Sequence, residues 1–429
     1  MHLISSRRVS MNANGRELLG QPAGGHSGRK GRNCLLRCGV FVSFDFRFFF
    51  SVMKTSWVII VLMGLLAATV SAQDTPRTVT ERGPHHRVWE WTTRETTSGG
   101  RVVARPHQVV ELATGLNFWD STLGQWADSR EEVTILPDGT ARAVQGQHQV
   151  IFPGNIYEGA ISLTGPGGEQ LKSRPVGLAY DDGANTVMIA LLAHSPGELV
   201  SSNQVMYPNA FEGADGAVAG LRYTYTKSGF AQDVLIQRRL PPPQSFGLNA
   251  ERTKLAVLTE FFDTDNPMET PGPVSAQDGL RDRLLTFGTM TMRQGRAFAI
   301  GESGWGDSRA GGAPTYKSWL KLEGRTFLVE EVPYLRVQSQ LDQLPALASA
   351  NVAGPPSTNM ILDKVSARRL LPPFRAAQTG TNRVQLARGN AGHQPALVLD
   401  YEIFNPGASN AVFRGDLTYY ISDKYSLSG

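Results

Sequence analysis

The stretch from Ala219 to Leu240 leaves the chain the least conformational freedom. Leu221-Arg-Tyr-Thr-Tyr-Thr226 alternates apolar or aromatic with polar residues, Lys227-Ser-Gly229 supplies a turn, and Ala231–Ile236 runs back. A period of two puts Leu221, Tyr223 and Tyr225 on one face of a strand and would scatter them around a helix. The segment is therefore read as an antiparallel β-hairpin whose aromatic face packs into a core. A sugar-stacking platform is the lesser reading of the same aromatics.

The rest of the chain repeats this grammar. Arg101–Arg105, Gln108–Leu112, Gln149–Phe152, Ala160–Leu163 and Thr186–Leu192 are short β-type runs. Pro137-Asp-Gly139, Gly165-Pro-Gly-Gly168 and Asp181-Asp-Gly183 separate them. Further strands are expected at Lys254–Phe262, Leu284–Met292, Ala297–Ile300, Ser318–Leu322 and Thr326–Val332. Leu341, Leu344 and Leu347 recur at spacings of three, so a short helix is expected over Gln338–Leu347. The fold class that follows is mainly β, with antiparallel, sandwich-like domains. Pro241-Pro-Pro243 can continue neither strand nor helix and reads as a boundary. The expected organisation is a flexible tail over 73–87, β-rich domains at 88–240 and 244–347, a linker at 348–358, and a β segment from 359 to 429. That last segment reads as the start of a truncated solenoid continuing beyond Gly429, because one solenoid coil cannot cover its own apolar face.

Address is written near the start. Lys54 precedes an apolar run from Trp57 to Val70, and Val70-Ser-Ala72 ends it with small residues. This is the pattern of a cleaved signal peptide over 53–72, with Met53 as the start and 1–52 as mis-assigned upstream sequence. The run is shorter than the roughly 20 residues that span a bilayer, so contact with the membrane is expected to be transient. Export would place the protein in the periplasm, on the cell surface or outside the cell. Both cysteines, Cys34 and Cys38, precede the cleavage site. The exported chain would then hold no disulfide in an oxidising compartment. It would carry 33 basic and 36 acidic residues, a balance that disfavours nucleic acid as a partner.

No run carries a strong catalytic pattern. Gly301-Glu-Ser-Gly-Trp305 places Trp where a nucleophile elbow needs Gly, so Ser303 is not read as a nucleophile. Asp263, Asp265 and Glu269 are weak calcium candidates: their oxygens suit the ion, but Pro267 interrupts the loop and no EF-hand spacing is present. His85-His86 lacks carboxylate neighbours, and His148 sits among amides, which favours a structural role. Glu330-Glu331 would point one carboxylate to each face of a strand, with one of them buried or paired to a cation such as Arg325. Trp89, Trp91, Trp119 and Trp126 suit either a sheet core or a carbohydrate platform. No phosphate loop, dinucleotide fingerprint or zinc motif occurs, and no cofactor is expected.

Several runs form a series: Gln145-Gly-Gln-His148, Arg222–Lys227 with Gly229-Phe230 and Gln232-Asp233, Leu258-Thr-Glu-Phe-Phe262, Gly295-Arg-Ala-Phe298, Lys317-Ser-Trp319 and Glu323–Pro333. Taken together this resembles the N-terminal region of very large secreted bacterial surface proteins that carry parallel β-helix, lectin-like or RHS/YD-type repeats further on. The resemblance spans most of 88–429 and implies location and architecture without a catalytic motif. The leading expectation is a non-catalytic export or scaffold region of a surface protein, with cell-surface components or glycans as partners. A carbohydrate-binding module is the second reading, and a secreted hydrolase using acids such as Glu302 or Glu330 the third.

Overall fold

A computed structural model describes residues 74–213, 216–301, 311–346, 361–362, 386–389, 394–405 and 418–422. The β-branched and aromatic runs become strands and the glycine- and proline-rich segments become turns. The N-terminal strands are β1 (Thr78–Gly83), β2 (His86–Thr96), β3 (Val102–Leu112), β4 (Asn117–Asp120) and β5 (Gln125–Asp128). Then come β6 (Thr134–Ile135), β7 (Ala141–Ala143), β8 (Gln149–Phe152), β9 (Ile161–Thr164), β10 (Gln170–Asp181) and β11 (Thr186–Leu192). Next are β12 (Glu198–Ser201), β13 (Gln204–Glu212), β14 (Val218–Thr226) and β15 (Gly229–Ile236). After a 3-10 turn at Pro243–Phe246 follow β16 (Lys254–Phe262), β17 (Met268–Val274), β18 (Arg281–Phe287), β19 (Met290–Met292) and β20 (Arg296–Ile300). The remaining elements are β21 (Ala313–Pro314), β22 (Tyr316–Leu322), β23 (Arg325–Pro333), helix α1 (Tyr334–Gln343), β24 (Ile361–Leu362), β25 (Ala387–Arg388), β26 (Ala396–Phe404) and β27 (Thr418–Ser422).

Most strands belong to one large antiparallel sheet that curls into a barrel. Its main-chain ladder runs β22–β23–β16–β10–β11–β13–β14–β15–β26–β19–β18–β17. Strands β6 to β9 extend the other edge of β10 as a meander. A smaller sheet has the order β1–β2–β3–β27, and β4–β5 form a separate hairpin. Mainly β architecture with antiparallel sheets is therefore what the alternation produces.

The β14–β15 hairpin has the expected register, with Tyr223 opposite Gln232 and Tyr225 opposite Phe230. Leu221, Tyr223 and Tyr225 are fully buried in the main core beside Phe152, Tyr207 and Phe211. Buried phenols need acceptors. Tyr225 donates to the His148 carbonyl at 2.9 Å, Tyr207 to that of Pro153 at 2.7 Å, and Tyr223 to Gln232 Oε1 at 2.9 Å. These aromatics are core, and no sugar can reach them.

Several expectations need correction. Residues 74–87 are no free tail: they hold β1 and enter β2, which pair antiparallel. The triple proline does not divide two domains. Strand β10 pairs with β16, and β15 with β26 along its whole length, so strands from both sides of Pro241–Pro243 interleave in one sheet. Prolines forbid a ladder position but fit a turn; here they carry the chain over a barrel end, where Tyr180 Oη donates to the Pro241 carbonyl at 3.1 Å. The helix lies earlier than expected, burying Tyr334, Val337 and Leu341. It stops before Leu344 because a residue preceding proline, here Pro345, avoids the helical region. From the proposed solenoid segment, β26 is an internal barrel strand and β27 pairs antiparallel with β3. Residues 406–417, 423–429 and the linker at 348–358 lie outside the described residues, as does the signal segment at 53–72. No helix among the described residues is long and apolar enough to cross a membrane.

Candidate functional site

The β4–β5 hairpin is built from two short alternating runs around a tight turn. Asp120 Oδ1 accepts from the Thr122 and Leu123 amides at 2.9 and 3.2 Å, and Gly124, with φ of 62°, closes the loop. Cross-strand register sets Trp119 directly against Trp126. Their rings meet edge to face with centroids 5.5 Å apart, and Trp119 is 54% exposed. A large aromatic held this far into solvent is unusual in a chain with an ample core.

Amides at the centre of a polar network, with Arg82 and Arg87 beside them, hold the hairpin in place. Asn117, fully buried, donates to the Gly83 and His86 carbonyls at 2.6 and 3.0 Å. Its Oδ1 accepts from Arg82 Nη1 at 3.1 Å and Arg87 Nε at 3.0 Å. Gln147 donates to the Pro84 and Asn117 carbonyls at 2.6 and 2.8 Å and accepts from Asn405 Nδ2 at 2.6 Å. Strands β1, β4 and the end of β26 are thereby tied to one loop, and the tryptophans sit on a rigid base.

The tryptophan pair forms the shared wall of two clefts. One, of about 590 Å³, is lined by Phe118, His85, Gln147, Gln149, Thr289, Thr291 and Asn405 among others. Among the described residues no carboxylate lines it. Burial is the main cause that lowers the pKa of His85, with His86 adding to it, and His85 Nδ1 accepts from the Gly115 amide at 3.0 Å. The other cleft, of about 720 Å³, includes Glu81, Asp120, Asp128 and Arg130. Its carboxylates are engaged: Asp128 with Arg82 and, at 3.0 Å, with Arg87; Glu81 with His86 at 3.2 Å; Asp120 with its own turn. The first cleft offers aromatic faces with amides and hydroxyls, and the second adds paired charges to the same aromatic wall.

The sequence-derived candidates fall elsewhere. Asp263 and Asp265 are exposed in a loop, and Glu269, on β17, pairs with Arg283. Among the described residues no group of three or more His, Cys, Asp or Glu side chains is arranged to hold a metal ion, so the three calcium candidates are not brought together. His148 is buried, its Nε2 donating to the Gly229 carbonyl at 3.1 Å, and burial lowers its pKa to about 4. Glu331 pairs with Lys254 at 2.6 Å while Glu330 is enclosed; Arg325 turns to Glu260 instead. Glu302, Ser303, Trp305 and His393 lie outside the described residues. Trp89 donates to Glu111 Oε2 at 2.8 Å, and Trp91 stacks on His107. Asn117, Gln147 and Asn405 escaped the sequence reading, since isolated amides carry no pattern. The cross-strand tryptophans were legible from Asn117-Phe-Trp-Asp120 and Gln125-Trp-Ala-Asp128 flanking a glycine turn. Set against known proteins, the chain matches no family model, no curated sequence and no solved structure.

Proposed function

We propose that the chain is a non-catalytic module of an exported, surface-located protein, and that it holds saccharide chains against Trp119 and Trp126. The observation that carries this reading is the tryptophan pair, Trp119 exposed and Trp126 half-buried, fixed on an amide-braced hairpin with hydroxyl and amide groups around it. Sugar rings present an apolar C–H face and a polar edge, which suits an aromatic wall beside Gln149, Thr289 and Thr291. The partnered carboxylates favour binding over hydrolysis. The signal-like segment at 53–72 and the resemblance to large bacterial surface proteins support the location.

A glycan array probed with the protein, followed by calorimetry on the saccharides that bind, tests this. Trp119 covering roughly 100 Å² of apolar sugar surface is worth about 2.5 kcal/mol, so Trp119→Ala should weaken binding roughly 70-fold. An array with no binding above background, or affinity unchanged in Trp119→Ala, would sink the proposal.

A further inference from the structure

Among the described residues, the barrel has a seam where no main-chain pairing joins β22 to β18: β22 pairs with β23, and β18 with β17 and β19. Where the outer edge of β22 meets the start of β18, side chains make the join. The Lys317 amide donates to Asp282 Oδ1 at 2.8 Å, and Lys317 Nζ donates to Asp282 Oδ2 at 2.7 Å and to the Arg293 carbonyl at 2.8 Å. The Lys317 side chain is 0% exposed and that of Asp282 10%. Directly across β23 from Lys317 stands Glu330, 4% exposed, and its Oε1 has no hydrogen-bond partner.

We propose that Lys317 and Asp282 condense into an intramolecular isopeptide bond, Nζ to Cγ, with Glu330 relaying the protons. An ion pair alone gives no reason for a third buried acid with an orphaned oxygen next to it, since such a group is costly to enclose. A condensation does. An N–H···O contact of this length places the nitrogen within roughly 3–3.5 Å of the carboxyl carbon, a near-attack distance. For the attack, a proton passes from Lys317 Nζ to Asp282 Oδ2 along the hydrogen bond that already joins them, which frees the nitrogen lone pair. Burial pushes the Glu330 carboxyl up to about 8, with Asp400 and Asp282 adding to the rise and Lys317 opposing it, so Glu330 is a proton donor at neutral pH.

The step balances without oxidant or metal. The Nζ lone pair attacks Asp282 Cγ, Glu330 donates its proton to the departing hydroxyl, the C–O bond breaks, and water leaves. A proton from nitrogen returns to Glu330. Lys317 and Asp282 lose one water between them and become an amide that pins β22 to β18. That covalent tie closes the barrel in a chain whose only cysteines are Cys34 and Cys38.

Peptide mapping of the folded wild-type protein tests the proposal directly. A branched peptide joining Asp282 to Lys317, about 18 Da lighter than its two components, is expected. Lys317→Arg and Asp282→Ala should remain at full mass. Asp282→Asn should still link, losing ammonia in place of water, which keeps the test open if the charge-deleting variants fail to fold. Glu330→Gln should fold by circular dichroism yet stay unlinked, or link slowly with an altered pH profile. Separate, unmodified Asp282 and Lys317 peptides from the folded wild type would overturn the bond. Linking of Glu330→Gln at the wild-type rate and pH profile would overturn the relay.

Discussion

Glu260 is the place where a single charge change should cost most. It lies on β16, directly across from Arg174 on β10, and its carboxylate sits between two guanidinium groups. Arg325 approaches it as a fork, Nε to Oε1 at 2.6 Å and Nη2 to Oε2 at 2.7 Å, while Arg174 Nη2 stands 3.6 Å from Oε2. Side-chain exposures are 3% for Glu260, 6% for Arg174 and 10% for Arg325. Glu260→Gln keeps volume and shape but removes the carboxylate charge that the two buried guanidinium groups share. Two charge-assisted bonds at about 1.5–3 kcal/mol each set an upper range of about 3–6 kcal/mol. The glutamine oxygen still accepts one bond, which lowers the expectation to about 3 kcal/mol, in line with broken buried pairs. Urea unfolding should show a lowered midpoint with an unchanged slope. Because the pair is out of water, the loss should be the same at roughly 0.05 and 0.5 M salt. A loss below about 1 kcal/mol, or one that salt erases, would mean that water reaches these groups and that the β10–β16–β23 register is wrong.

Two further perturbations test the core and its buried acids. Tyr225→Phe removes the hydroxyl that donates to the His148 carbonyl and should cost about 1–2 kcal/mol by thermal unfolding; Tyr225→Asp, which buries a carboxyl among aromatics, should cost over about 3 kcal/mol. A wild-type melt for either would place Tyr225 on a solvent face. Burial raises the carboxyl of Glu330 to about 8 and that of Asp233 to about 7, the latter opposed by Arg222 and reinforced by Asp400. The folded chain therefore holds these protons to higher pH than the unfolded chain does, so their contribution is full below about pH 4 and is lost as pH rises through 7 to 8. Stability by urea midpoint should fall by several kcal/mol between roughly pH 5 and 8.5, and Glu330→Gln should flatten the upper part of that fall; a midpoint that rises over this range refutes the assignment.

How much of this was legible follows from what each feature depends on. Period-two alternation is local, so the β14–β15 hairpin, its buried face and the mainly β class could be read directly. Pairing between distant strands is not local. Nothing near Pro241–Pro243 says that β16 returns to β10 or that β26 lies beside β15, and a proline run looks the same in a linker and at a barrel rim. Leucine spacing points to a helix over Gln338–Leu347, whereas the helix begins at Tyr334, directly after β23, and ends at Gln343 because Pro345 keeps Leu344 out of the helical region. The first strand was missed because Gln73–Pro84 is polar, and a strand in a small exposed sheet needs little apolar content. Of the site, the tryptophans were visible as residue types. Their exposure depends on Asn117, Gln147 and Asn405 meeting across 288 residues of chain, which only the fold brings about.

The two polar systems of this barrel divide the labour by charge. Around the tryptophan cleft the bracing groups at the centre are the amides of Asn117, Gln147 and Asn405, which do not titrate and which hold geometry at any ordinary pH. Elsewhere in the sheet the groups are ionisable: Glu260 with Arg325, and Arg222 with Asp233 at 3.0 Å. Buried ionic groups of this kind contribute little net stability against apolar packing, but they penalise every alternative register strongly. A curled sheet with many short strands has many registers to refuse, and a one-residue slip would leave each of these charges unpaired in the interior. The ion pairs thus select the register, and the amides, together with Arg82 and Arg87, which also pair with Asp128 of β5, aim the tryptophans.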